Sequence, residues 1–256
     1  MLIHHESINH YINWLKTGWY FSMAGYSDAE WYCVLKQRLG EKTGLGQVLD
    51  AKHGERLLDV LKRRQHVGNF LFAVPKCLWP SRTSYGLPGL AEGQIDWLLG
   101  SQGISIEGYE RDMITDDLAR EAELFPFISQ LNKMEVILIG NHHLEEMKEH
   151  LRSIRYFVGI DSPNLHLQPD GIEDAVARVK NYGKPGVHLV SAGVSAAVII
   201  DLLHDAIPNS WFIDCGSIWD AFVGIGEQRD WRAFLYAHPR EWDKWKKWNI
   251  HGKPKD

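Results

Sequence analysis

Three stretches in the second half of the chain limit its fold more than anything else in it. "EVILIG" (135–140), "GVHLVSAG" (186–193) and "SWFIDCG" (210–216) are apolar runs that each carry glycine at their end. Runs of this length without polar alternation fit strands buried on both faces. Helix-length segments lie between and beside them: "HLEEMKEHLRS" (143–153), 171–182, and "VSAAVIIDLLHDA" (194–206). "IRYFVGI" (154–160) adds a fourth strand. Strands joined by helices build βαβ units, so the pattern predicts an α/β fold with a mostly parallel sheet between two helical layers.

The first half is less regular. It predicts helices over 5–20, 28–39, 47–65, 90–100 and 115–132. Strands are predicted over 19–24, over 69–75 ("NFLFAVP") and at "ISIEGY" (104–109), with a Pro, Gly and Ser-rich loop at 79–89. A chain of 256 residues forms one large α/β domain here, with 226–256 as a Trp-rich C-terminal extension. No window approaches a membrane span, and "MLIHHESINHYINWLK" lacks the layout of a signal peptide. Three isolated cysteines (Cys33, Cys77 and Cys215) support neither a disulfide framework nor a thiolate zinc site, so a reducing cytoplasm is expected. The net charge of −5 argues against a broad phosphate-gripping face, although a local patch could still meet nucleic acid.

In a parallel sheet, ligands gather beyond the carboxyl ends of the strands. Three such ends carry small or polar residues: "IGNHHL" (139–144), "SAGVSAA" (191–197) and "IDCGSIWD" (213–220). Backbone N–H groups there, with the hydroxyls of Ser191 and Ser195, suit a phosphate. Gly140, Gly193 and Gly216 allow close backbone approach. His142 and His143 follow one of these ends and are placed to meet the same ligand. Each end taken alone also fits a plain βα turn. Neither GxGxxG nor a P-loop is present, and HExxH and GxSxG are missing too.

The other chemical feature is early. In "GYSDAEW" (25–31), Asp28 and Glu30 lie one residue apart at a helix start. Asp28 fits an ordinary N-terminal cap. The pair also fits a divalent cation held by hard oxygens, or a division of labour in which one carboxylate holds Mg²⁺ or Mn²⁺ and the other acts as base.

Taken in order, "GYSDAEW", "ELFPFISQLNKMEVILIGNHHL" (123–144), "SAGVSAAVIIDLLH" (191–204) and "IDCGSIWDAFVG" (213–224) resemble the motif series of the GT-D-type glycosyltransferases, over roughly residues 20–225. The resemblance implies a Rossmann-like single sheet. It also implies transfer of a sugar from a nucleotide donor, expected to be UDP-linked, to a hydroxyl acceptor on a glycan, a protein or a modified DNA base. It implies Mg²⁺ or Mn²⁺ at Asp28 and Glu30, with Glu30 favoured for donor contact or the base. Gly25, Ser27, Gly140, His142, Ser191, Gly193, Ser195, Asp214, Gly216 and Ser217 would line the donor site. The chain departs from the pattern at Gly25, where the family has arginine, at Ser27 and Ala29, where it has glycines, and at Ala197, where it has lysine. Arg82 in the loop "WPSRTSYG", or Arg229 and Arg232 near the end, are candidates to replace these cations at a pyrophosphate. Two alternatives stay open: a non-catalytic nucleotide or phosphosugar-binding module, and a phosphoester hydrolase using Asp28 and His142–His143.

Overall fold

The computed structural model describes residues 3–4, 8–43, 46–74, 93–106, 109–111, 124–161, 163–223, 248–249 and 253–254. Arg82, Arg229, Arg232, the loop 79–89 and most of the Trp-rich extension lie outside these residues. Eight parallel strands form the main sheet: β1 (Ile3–His4), β2 (Ser22–Gly25), β3 (Phe70–Val74), β4 (Tyr109–Arg111), β5 (Val136–Asn141), β6 (Ile154–Ile160), β7 (Val187–Ser191) and β8 (Trp211–Asp214). Their spatial order is β1-β4-β3-β2-β8-β7-β5-β6. The short strands β9 (Trp248–Asn249) and β10 (Lys253–Pro254) pair antiparallel in a separate ribbon.

The helices are α1 (Ile8–Thr17), α2 (Asp28–Val34), α3 (Ala51–Arg64), α4 (Gln94–Ser101), α5 (Leu124–Leu131), α6 (Met147–His150), α7 (Gly171–Tyr182) and α8 (Ala196–His204). They make two layers. One apolar cluster joins α2, α3, α4, α7 and α8 to one face of the sheet. A second joins α1, α5 and α6 to the other. Strand alternation distributes the two sets: in β8, Phe212 faces the first cluster while Trp211 and Ile213 face the second. This is the three-layer α/β architecture that the buried runs predict.

Several boundaries differ from the sequence reading, for local reasons. The helix predicted over 28–39 stops at Val34, because Lys36 and Arg38 take left-handed backbone with φ of 53° and 52°. The helix predicted from 47 starts at Ala51, where the Asp50 carboxylate accepts the His53 N–H at 2.7 Å and caps it. The strand expected at 104–109 lies instead at Tyr109–Arg111. The segment after β5 opens as a 3₁₀ turn, His142–Glu146, before the short α6. β1 was not anticipated: a two-residue strand leaves no readable periodicity.

Two contacts lock α3 and α8 to this frame. Arg64 reaches Asp201 (Nε to Oδ1, 2.6 Å) and Asp205 (Nη2 to Oδ2, 2.7 Å), with Arg64 and Asp201 both buried. Gly54 of α3 lies against the Cys33 carbonyl of α2, so closely that a Cβ there would sit 2.0 Å from the oxygen. Only glycine permits that approach.

Candidate active site

The two halves of the chain meet in the sheet where β2 pairs in parallel with β8. Strands of the first half run outward from β2, and those of the second half lie beyond β8. Open α/β sheets bind ligands in the crevice outside the carboxyl ends of their strands. The residues singled out in the sequence meet there. Gly25 ends β2, Asp214 ends β8, Ser191 ends β7, and Gly140 is directly paired with Ser191 across β5. They follow one another along four adjacent strands.

Asp214 binds the row together. Its Oδ2 accepts the Gly25 N–H at 3.1 Å and its Oδ1 accepts the Gly216 N–H at 2.9 Å. The first and the last of the chemistry-bearing motifs are therefore joined directly. The contact also accounts for glycine at position 25. A Cβ there would lie 2.8 Å from Asp214 Oδ2, so an arginine would displace the carboxylate. Gly216 has φ of +51°, which lets the backbone turn back onto Asp214. Ser217 precedes the 3₁₀ turn Ile218–Ala221.

Above Gly25, the turn Ser27–Glu30 opens α2. Ser27 is the N-cap in a capping-box arrangement. Its N–H donates to Glu30 Oε2 at 2.9 Å, and its hydroxyl donates to the same oxygen. Glu30 is only 6% exposed. Burial raises its pKa first and foremost, and the nearby Asp28 charge adds to this, against the lowering effect of the Ser27 hydroxyl. Asp28 is exposed and Ser27 half-buried, so these two face the solvent side of the turn while Glu30 supports it from beneath.

The β7 loop is more enclosed than a simple phosphate loop. Ser191 and Ser195 are buried, and each hydroxyl is without a partner among the described residues. Gly193, at φ of +54°, lies under the Gln47 amide, and a Cβ there would sit 2.1 Å from Gln47 Nε2. Gln47 belongs to a segment over 46–50 held by Asn164, which accepts the Val48 N–H at 2.8 Å and donates to the Gly46 carbonyl at 3.0 Å. His166 Nε2 meets the Val48 carbonyl at 2.9 Å, and His53 Nε2 meets the Val194 carbonyl at 2.8 Å. Burial depresses His53 to about 4. Sequence reasoning missed Gln47, because nothing local marks a loop residue that closes on a glycine so far along the chain.

His142 and His143 diverge. His142 is exposed and lies 3.5 Å from Asp161. His143 Nε2 is 2.9 Å from Asp220 Oδ1, with both side chains half-buried. Among the described residues no group of three or more His, Cys, Asp or Glu side chains converges as a metal site. Exposed Asp28 and buried Glu30 are the carboxylates at the start of α2 that a magnesium-type ion would draw on. Such ions bind through one or two carboxylates and complete their shell with water and substrate phosphate. Burial and the nearby Asp28 charge raise the Glu30 pKa, and a bound cation would act in the opposite sense. No helix among the described residues is long and apolar enough to cross a membrane.

Neither a protein-family profile nor a curated protein matches the chain. Three solved structures do. One is described as a new glycosyltransferase, DUF1792, from Streptococcus sanguinis. It shares 14% identity at a TM-score of 0.58, over 86% of this chain and 83% of its own. A selenomethionine structure of domain of unknown function 1792 matches at 13% identity and a TM-score of 0.58, over 93% of this chain and 82% of its own. A third, described as showing that this domain has a distinct glycosyltransferase fold, gives the same values. At such identities the likeness speaks for architecture: the chain has the GT-D-type glycosyltransferase fold, with β2 and β8 paired at its centre.

Proposed function

We propose that the protein is a metal-dependent glycosyltransferase that moves a sugar from a nucleotide-linked donor, expected to be UDP-linked, to a hydroxyl acceptor. The observation that carries the reading is the hydrogen bond from the Gly25 N–H to Asp214, which brings the acidic turn of α2 onto the rim formed by Gly140, Ser191 and Gly216. The fold shared with glycosyltransferase structures supports it.

In this reading Asp28 and Glu30 hold Mg²⁺ or Mn²⁺, with Asp28 as the solvent-facing ligand. When bound, the ion offsets the charge that develops on the departing diphosphate. Ser27 keeps Glu30 in place through its two hydrogen bonds. Asp214 ties the Gly25 and Gly216 backbones to one carboxylate on the rim assigned to the diphosphate. The acidic overall balance favours a glycan or protein acceptor over a DNA base.

The test is incubation with a panel of nucleotide sugars, with and without Mn²⁺ or Mg²⁺, followed by release of nucleoside diphosphate. Metal-dependent cleavage of one donor, lost in Asp28→Ala, is expected. Absence of cleavage with every donor, while binding persists, would turn the reading into that of a binding module. Position 25 favours that second reading, since it lacks the cation the family places there. Release of inorganic phosphate from simple nucleotides would point to a hydrolase.

A further inference from the structure

We propose that His143, held by Asp220, is the base that takes the acceptor's proton; this rests on the glycosyltransferase reading above. The attacking acceptor hydroxyl loses its proton as it bonds to the sugar, and a positioned side chain that receives it speeds the step. The carboxylates of the crevice are committed elsewhere. Glu30 is buried, and its Oε2 accepts both the N–H and the hydroxyl of Ser27. Asp214 has one oxygen on the Gly25 N–H and the other on the Gly216 N–H. Asp28 is assigned to the metal.

The His143–Asp220 pair is built differently. An ionised carboxylate only accepts hydrogen bonds, so Asp220 at 2.9 Å from Nε2 fixes the ring proton on that nitrogen. The lone pair then rests on Nδ1. In its neutral form the ring is thereby held in the tautomer of a base, and the adjacent carboxylate would stabilise the imidazolium formed when it accepts a proton.

The topology places the pair at the crevice. His143 follows the carboxyl end of β5 and Asp220 follows that of β8, and β7 lies between those strands. The bond therefore spans the end of β7, where Ser191 stands. It lies on the face occupied by Leu144, Met147, Ile218 and Trp219, whereas α2 and α8 cover the opposite face. The acidic turn and the His143–Asp220 bridge thus approach the carboxyl edge of the sheet from its two faces. In the step assigned here, the acceptor oxygen bonds to the anomeric carbon while its proton passes to His143 Nδ1. The bond from that carbon to the diphosphate oxygen breaks, and its electron pair leaves with the nucleoside diphosphate. Asp220 is a positioning residue, because it acts through His143.

The test uses the full chain and the donor that the parent protein cleaves, with UDP as the binding probe and thermal melting as a check on folding. His143→Gln is expected to lower kcat by about 10²- to 10⁴-fold, while the donor KM, the UDP affinity and the melting temperature stay unchanged. Asp220→Asn is expected to lower kcat, and Asp220→Glu to restore part of it. An unchanged kcat in His143→Gln overturns the proposal alone and leaves the glycosyltransferase reading standing. So does a loss of UDP affinity or melting temperature that parallels the loss of kcat, since that marks a structural contact. Absence of donor cleavage by the parent protein overturns both.

Discussion

Replacing Gly54 with alanine gives a test whose sign is set by packing rather than by local preference. Gly54 lies inside α3, and helix propensity alone would make alanine more favourable there by about 1 kcal/mol. The fold predicts the opposite. The added methyl would be placed 2.0 Å from the Cys33 carbonyl oxygen and 2.4 Å from its carbon. Non-bonded heavy atoms reach optimal contact only at roughly 3.5 Å or more. The obstacle is backbone of α2, which has no rotamer to change, so α2 and α3 must separate. Forcing a methyl group into a well-packed core costs about 1–3 kcal/mol, and a clash with backbone belongs at the upper end. The propensity gain offsets about a third of that. A net loss of about 2 kcal/mol is expected, or a fall in Tm of roughly 4–8 °C for a chain of this size. Because α2 carries Asp28 and Glu30 at its start, the same displacement should weaken donor turnover. Differential scanning calorimetry of the two proteins checks the first effect. A Tm equal to or above that of the parent would refute the close approach of these helices.

Ser27→Ala removes the capping-box hydroxyl and one of the two donors to a buried carboxylate; a loss of about 1 kcal/mol in urea unfolding is expected, and, on the proposed reading, a higher Mn²⁺ concentration is needed for turnover as Glu30 loses its orientation. Glu30→Gln addresses acid behaviour. The folded pKa of Glu30 is raised, so its ionisation opposes folding as pH rises from about 4.5 through that raised value; the variant should flatten this part of the stability–pH curve. His188 runs the other way. Burial lowers it to about 3, so the unfolded chain binds a proton below pH 6.5 that the folded chain refuses, and stability falls with pH between those values. His188 stacks on Phe212 at 4.6 Å with neither ring nitrogen bonded to a described residue. His188→Phe should therefore gain about 2 kcal/mol at pH 5, and an unchanged acid slope would contradict it.

The layer order and the location of the crevice were legible in the sequence because they follow from a simple rule. Runs such as "VILIG" and "VHLVS" must be covered on both sides, and only helices crossing over parallel strands do that. The glycines and small polar residues at the run ends then mark the carboxyl edge. The pairing of Asp28 with Glu30 was visible too, but not its inequality. Which carboxylate faces water depends on how α2 seats on the sheet, and that seating rests on the Gly54–Cys33 contact between two helices.

Other features left no mark in any local stretch. Gln47 closes over Gly193, His143 finds Asp220, and β1 joins β4, each across a separation that periodicity does not encode. By itself, then, the sequence determined the class of fold, the edge of the sheet that carries polar residues, and the motifs on that edge, because all three follow from local patterns of burial and turn chemistry. The tertiary structure alone decided which of those residues meet: Gly25 with Asp214, Glu30 beneath Ser27, and His143 with Asp220. The physical reason is that strand order and helix seating are set by packing over the whole core, and side-chain partners across the crevice follow from that order.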